Sequence, residues 1–221
     1  MHFSTAPTIS TVKAQSLLLF LLASLAATSV TRATIVYSGQ QDVPIPLDPE
    51  GEYLRIDTGA TSGAFPADWA TAPWINPFFG GVDIGNSPLL RPVITGTDQI
   101  LNLPVGTLIS SGSNFVAGES GSSTHFGIGT GQFALNAPGY LGVTFRSTVG
   151  GPDYYGWVQM QISNIGLGRI NSWAYENVSG TPILAGYADY LPEPGVLALL
   201  GSCLLCLGRR LRPNVRRGGI S

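Results

Sequence analysis

The sequence predicts an all-β domain, an antiparallel sandwich or jelly-roll-like fold, set between two terminal segments of a different character. Three observations point there. Glycine (29) and proline (16) are abundant among the 221 residues while charged residues make up only 11%, a composition that favours short strands and turns over helices. Short stretches rich in Val, Ile, Thr and aromatic residues recur between turn signals through the middle of the chain. Two of them alternate apolar and polar residues, which is the period of a strand. The length suits one domain once the ends are set aside, dividing the chain into 1–33, 34–188 and 189–221.

Strand-like stretches are expected at 34–37, at 53–57 after an acidic Pro-containing loop, and at 89–94, broken by Pro92. Others are expected at 106–110, 131–135, 139–146, 154–162, 169–175 and 182–186. In 141–146 the odd positions Leu141, Val143 and Phe145 are apolar. In 154–162, Val158, Met160 and Ile162 share a face while Gln159 and Gln161 share the other. Such alternation predicts one dry face and one wet face. Trp157 falls on the Gln face, so it is either covered by a loop or open to a ligand. Residues 112–131, rich in Gly and Ser, read as a long surface loop carrying Glu119 and His125.

The first 33 residues read as a signal peptide. A polar stretch with Lys13 precedes an apolar run over residues 16–27, too short to span a bilayer but the right length for a secretory core. Small residues follow, and cleavage by signal peptidase is expected after Ala33. At the other end, Pro192-Glu193-Pro194 precedes an uncharged apolar stretch from Gly195 to Leu207 and then Arg209, Arg210 and Arg212. The two prolines deny backbone donors and hold the chain extended, so a helix can start only after them. Thirteen helical residues rise about 20 Å against a hydrocarbon core of about 30 Å, a marginal span that snorkelling arginines lengthen. This segment is expected to be a short transmembrane helix, with the arginines as a cytoplasmic stop that fixes its orientation.

The order of Pro-Glu-Pro, short apolar helix and Arg cluster resembles the PEP-CTERM sorting signal of Gram-negative bacteria. The resemblance implies that exosortase, a membrane enzyme, recognises Pro192, Glu193 and Pro194, removes the tail and passes the protein to the cell surface or extracellular polymer. The inner membrane would then hold the precursor only transiently. Nine residues, Pro213 to Ser221, follow the Arg cluster, a longer ending than is usual for the family. The body of the chain also resembles a recurrent PEP-CTERM protein type, through residues 34–39, Trp74 to Gly81, Tyr155 to Val158 and Trp173 to Glu176.

Charge excludes one class of partner. Between Thr34 and Tyr190 stand twelve acidic residues and four basic ones (Arg55, Arg91, Arg146, Arg169), a net charge of −8 with no lysine. Neutralising phosphates requires clustered cations, so nucleic acid is not an expected partner. Both cysteines, Cys203 and Cys206, lie within the apolar tail. Packing in the membrane explains them better than redox or metal chemistry. No cofactor and no metal are expected. His125 is the only histidine after the signal peptide, and no G-x-S-x-G elbow surrounds a serine. Asp48, Glu50 and Glu52 offer oxygens for Ca²⁺ but lack the loop grammar of such a site.

Carboxylate pairs for glycan cleavage could be drawn from Glu119 or Glu176 with Asp153 or Asp83. Glu176, ending an aromatic strand, is the most interesting of these, although a strand-terminating hydrogen-bond acceptor is the simpler reading. The aromatic residues Trp69, Trp74, Phe78 and Phe79 could present flat rings to sugars, with Trp69 and Trp74 as the expected glycan contacts. The expected function is a non-catalytic structural or interaction module at the cell surface. The alternatives are a carbohydrate-binding module for exopolysaccharide and, behind it, a glycan-cleaving enzyme.

Overall fold

The computed structural model describes residues 33–95, 99–118, 127 and 131–188. The signal segment before Ala33 lies outside the described residues. So do Glu119, His125 and the tail, including Pro192, Glu193, Pro194, Arg209, Arg210 and Arg212. Among the described residues the chain is all-β, with antiparallel sheets. The strands are β1 (Ile35–Tyr37), β2 (Val43–Ile45), β3 (Tyr53–Arg55), β4 (Thr61–Ser62), β5 (Trp74–Phe78), β6 (Asp83–Asn86) and β7 (Leu90–Pro92). They continue as β8 (Asn102–Leu103), β9 (Leu108–Ile109), β10 (Pro138–Phe145), β11 (Tyr154–Gln161), β12 (Gly168–Glu176) and β13 (Ile183–Leu184).

The long strands β10, β11 and β12 form the middle of the main sheet, in the order β1-β12-β11-β10-β7. Each edge is split. β2 continues the line of β1 along β12, and β8 continues the line of β7 along β10. Pro44 and Pro92 sit in these edge strands, where a missing N–H costs no ladder bond and discourages further pairing. β7 pairs with β10 through Pro92, Val93 N–H still donates to Gly142 O at 2.8 Å, and Val93 and Ile94 also bridge to Phe115 and Ile100. The expected 89–94 stretch thus gains new partners just after its proline.

The second sheet, β4-β3-β5-β6, packs over one face of the main sheet. Leu141, Val143, Phe145, Val158, Met160, Ile162, Ile170 and Trp173 meet Leu54, Ile56, Ile75 and Ile84 there in the larger core. These are the alternating apolar positions read from 141–146 and 154–162. The opposite face is not wet, contrary to the expectation from alternation. The small β9–β13 sheet brings Ile109, Ile183 and Ala185 onto Tyr155, Trp157 and Ala174, forming a second core. Trp157 is 2% exposed. Tyr37 and Tyr140 pack against it, and its Nε1 donates to Tyr187 O at 3.1 Å. It is covered, not offered to a ligand.

In β12 one residue is extra. Gln159 faces Ser172 and Met160 faces Ile170, so Asn171 bulges out of the register. The bulge lets Ile170 and Trp173, three apart, face the same core. The 131–135 stretch forms no named strand, although Phe133 is fully buried. β5, by contrast, holds Pro77 inside a paired strand, where its carbonyl accepts from Glu52 N at 3.0 Å.

Gly80, in a short 3₁₀ turn at Phe79–Gly81, lies close against the backbone at the end of the main sheet. Gly80 has φ +69°, and a Cβ there would fall on Ser163 O. Gly80 N–H donates to Pro46 O at 2.8 Å, and Gly80 O accepts from Ser163 N at 3.0 Å. Gly80→Ala should therefore lower the urea midpoint and cost more than about 2 kcal/mol of unfolding free energy, since left-handed strain and a backbone clash add. Gly150, also at positive φ with open space around it, serves as the control. Gly150→Ala should cost only about 1 kcal/mol.

Candidate functional site

β3 divides its side chains between two surfaces. Leu54 and the following Ile56 point into the larger core, while Tyr53 and Arg55 point to the outer face of the second sheet. There Tyr53 forms the floor of an aromatic group. Its ring lies 5.7 Å from Trp69 and 6.0 Å from Phe65, both edge to face, and Phe65 and Trp69 lie 5.4 Å apart. Tyr53 is buried, Trp69 half-buried and Phe65 63% exposed. Edge-to-face packing of this kind fixes ring orientation beyond simple burial.

A polar network holds the loop that carries Trp69. Asp68 accepts from Trp74 Nε1 at 2.9 Å through one oxygen and from Arg55 Nη1 at 3.1 Å through the other. Arg55 Nε donates to Asp57 Oδ1 at 2.8 Å. The backbone turn closes with Trp69 N–H to Pro66 O at 3.1 Å and Thr71 N–H to Asp68 O at 2.9 Å. The hydrogen bond to Asp57, with the charges of Asp57 and Asp68, raises the pKa of Arg55 and outweighs burial. Burial raises the Tyr53 phenol, and the Glu50 charge adds to it. Burial likewise raises Glu52, opposed by a hydrogen bond from Thr61.

Asp57, the partner of Arg55, lines a second feature, a cleft of about 310 Å³ beside β12 that Ser38, Gln41, Thr58, Trp173 and Tyr175 also line. Its polar groups are engaged internally. Ser38 Oγ accepts from Trp173 N at 2.9 Å, Gln41 Nε2 donates to Ser38 O, and Tyr175 Oη donates to Asp57 O at 3.2 Å. Trp173 is buried, so the cleft offers less ring surface than the Phe65–Trp69 pair.

The four aromatic residues singled out from sequence do not form one cluster. Trp69 has open surface. Trp74 is 5% exposed with its indole N–H committed to Asp68, so it supports the platform from beneath and has no face for a sugar. Phe78 and Phe79 pack on each other at 5.2 Å, at the 3₁₀ turn. Tyr53 and Phe65 complete the platform and were missed. The signal for Tyr53 was its place out of phase with Leu54 and Ile56, and Phe65 carried none beyond its lone position in a polar loop.

Of the carboxylates considered for chemistry, Asp153 lines a cleft of about 190 Å³ with Arg91 and Arg146, whereas Glu176 lines neither this cleft nor the one beside β12. Glu176 is fully buried, and its Oε1 accepts from Val178 N at 3.2 Å while Oε2 is enclosed without a hydrogen-bond partner. A glycosidic oxygen has no approach to it. Asp153 accepts from Arg146 Nε at 2.7 Å, with Arg91 at 3.8 Å. Asp48 Oδ1 accepts from Gly51 N at 2.8 Å, a turn contact. Among the described residues, no group of three or more His, Cys, Asp or Glu is placed to hold a metal ion, and no helix is long and apolar enough to cross a membrane.

Two measurements check this network. Arg55→Ala strands two carboxylates and should cost about 1–3 kcal/mol in urea unfolding, whereas Arg169→Ala, at an exposed position, should stay within about 0.5 kcal/mol of the parent. Because the folded state raises the pKa of Glu52, that group binds its proton more tightly folded than unfolded. Its contribution to stability therefore falls as pH rises through the window just above 4.5. Glu52→Gln keeps the acceptor for Thr61 and should flatten that part of the stability-versus-pH curve; an unchanged slope would contradict the assignment. No protein-family model, curated protein or solved structure matches this chain.

Proposed function

We propose that the chain is the precursor of an exported bacterial surface protein, whose tail is a temporary membrane anchor and whose β domain is a non-catalytic structural or interaction module. One observation carries this reading. At the end of a chain whose first 33 residues read as a signal peptide, Pro192-Glu193-Pro194, an uncharged apolar stretch and then Arg209, Arg210 and Arg212 follow one another. In this reading the β domain spans 34–188, with 1–33 as the signal peptide and 189–221 as the removable tail.

In this reading the signal peptide directs export and signal peptidase cuts after Ala33. The apolar stretch then halts in the inner membrane, with Arg209, Arg210 and Arg212 held on the cytoplasmic side because translocating guanidinium groups is costly. Pro192-Glu193-Pro194 stands at the outer face, extended and open to exosortase, and the domain is released to the cell surface or matrix. The resemblance of the tail to PEP-CTERM signals supports this route.

A second reading, binding of exopolysaccharide, has a specific observation in its favour: the half-open Phe65–Trp69 ring pair on a rigid Tyr53 floor. Stacking on sugar faces is what exposed flat rings can do.

Replacing Pro192-Glu193-Pro194 with alanines should leave an uncleaved, membrane-held precursor in cell fractionation. Normal maturation of that variant would overturn the sorting route. On a glycan array, binding that vanishes in Trp69→Ala and persists in Phe79→Ala would establish the second reading, and an array that stays blank for the parent would remove it.

A further inference from the structure

The main sheet has two unlike ends. At one, the loop of residues 163–167 joins β11 to β12 where Pro138, Gln161 and Arg169 lie side by side in register. In that loop Ile165 is 84% exposed and Leu167 59%. Leu47 stands just past the end of β2, which pairs with Gly168 through Ile45. Phe79 lies beside it, its N–H donating to Asp48 O at 3.0 Å. Leu135 precedes Asn136, whose N–H donates to Ile162 O at 2.8 Å. Val105 follows β8, two residues beyond the Leu103–Tyr140 pair. All six side chains are exposed. The opposite end carries the Arg91, Arg146 and Asp153 cluster.

Single exposed apolar side chains are ordinary, but several gathered at one end mark an interaction surface. Three observations say what covers it. The last described segment lies over the half of the sheet nearer this end, since Gly106 N–H donates to Ala185 O at 2.9 Å beside Val105, Gly186 packs on the Tyr140 ring, and Tyr187 O accepts from Trp157 Nε1 at 3.1 Å. Only six residues, 189–194, separate the last described residue from the start of the apolar stretch, a reach of at most about 20 Å. Finally, the exposed charges near this end are Asp48, Glu50 and Arg169, a balance that does not favour an anionic surface.

We infer that this end of the domain rests on the bilayer while the tail is in place, with Ile165, Leu167 and their neighbours dipping into the interface of a zwitterionic membrane. The inference rests on the anchoring reading above and deepens it. Seated this way, the domain stands upright over its own anchor and keeps the Pro-Glu-Pro element at the membrane surface, within reach of a membrane-embedded processing enzyme. Once the tail is cut, loop tips alone hold the domain weakly, because interfacial binding scales with buried apolar area.

The test uses the full chain with Cys203→Ser and Cys206→Ser, carrying a single Ile165→Cys or a single Val149→Cys. Val149 is an exposed apolar residue in the turn between β10 and β11, at the opposite end of the sheet. Each protein is labelled with a polarity-sensitive fluorophore and reconstituted into phosphatidylcholine vesicles. Acyl-chain nitroxide lipids should quench the label at position 165 and leave the label at 149 bright. Co-sedimentation with vesicles but equal, weak quenching at both positions would overturn the membrane seat while sparing the anchor. A chain that fails to co-sediment would overturn the anchoring reading and the inference with it.

Discussion

Asn171 decides which side chains of the main sheet reach the larger core. Without the extra residue, a strict two-residue period in β12 would place Ile170 with Ser172 and Ala174, away from Trp173. With it, Ile170 and Trp173 both face the second sheet, and Ser172 and Ala174 both face the other way. The bulge also governs the edge. Asn171 O accepts from Gln41 N at 2.7 Å and from Asp42 N at 3.4 Å, and Asp42 adopts a left-handed φ of 53°. That local turn breaks the edge into β1 and β2, so one irregularity sets the facing of the strand and the split of its neighbour.

The consequence is a sheet dry on both faces. The second sheet covers one side, and the β9–β13 pair with the last described residues covers the other. The final segment is therefore part of the packing. Trp157 Nε1 binds Tyr187 O, and Gly186 lies against Tyr140. The chain enters near Asn177, whose side chain accepts from Thr34 N at 3.0 Å, and its last described residues cross the sheet face between Tyr140 and Trp157.

Much of this was legible in the sequence, and the failures have physical causes. The long strands β10 and β11 appeared through alternation in 141–146 and 154–162, enough to define a period, while β12 was expected at 169–175 from its apolar and aromatic content alone. β2, β4, β6 and β8 have two to four residues each, too few for a period to show, and β5 was obscured by Pro77 in its middle. The covering of Trp157 could not be read locally, because residues some 30 positions away supply the cover. The same distance problem hid the aromatic platform. Trp69 was visible as a tryptophan in a loop, but Tyr53 comes from a strand sixteen residues earlier, and Trp74 became a buried support instead of a contact. Glu176 was noticed for its neighbours, and its full burial depends on three strands closing around it.

The proposed division of the chain at residues 33 and 189 underlies the functional reading, because in that proposal it separates the β domain from two segments removed in processing. Intact-mass spectrometry of the protein recovered from the cell surface and culture medium reads both new ends at once. The expected species begins at Thr34 and lacks Arg209 through Ser221. An abundant extracellular form that retains those C-terminal residues would contradict a tail removed after transit.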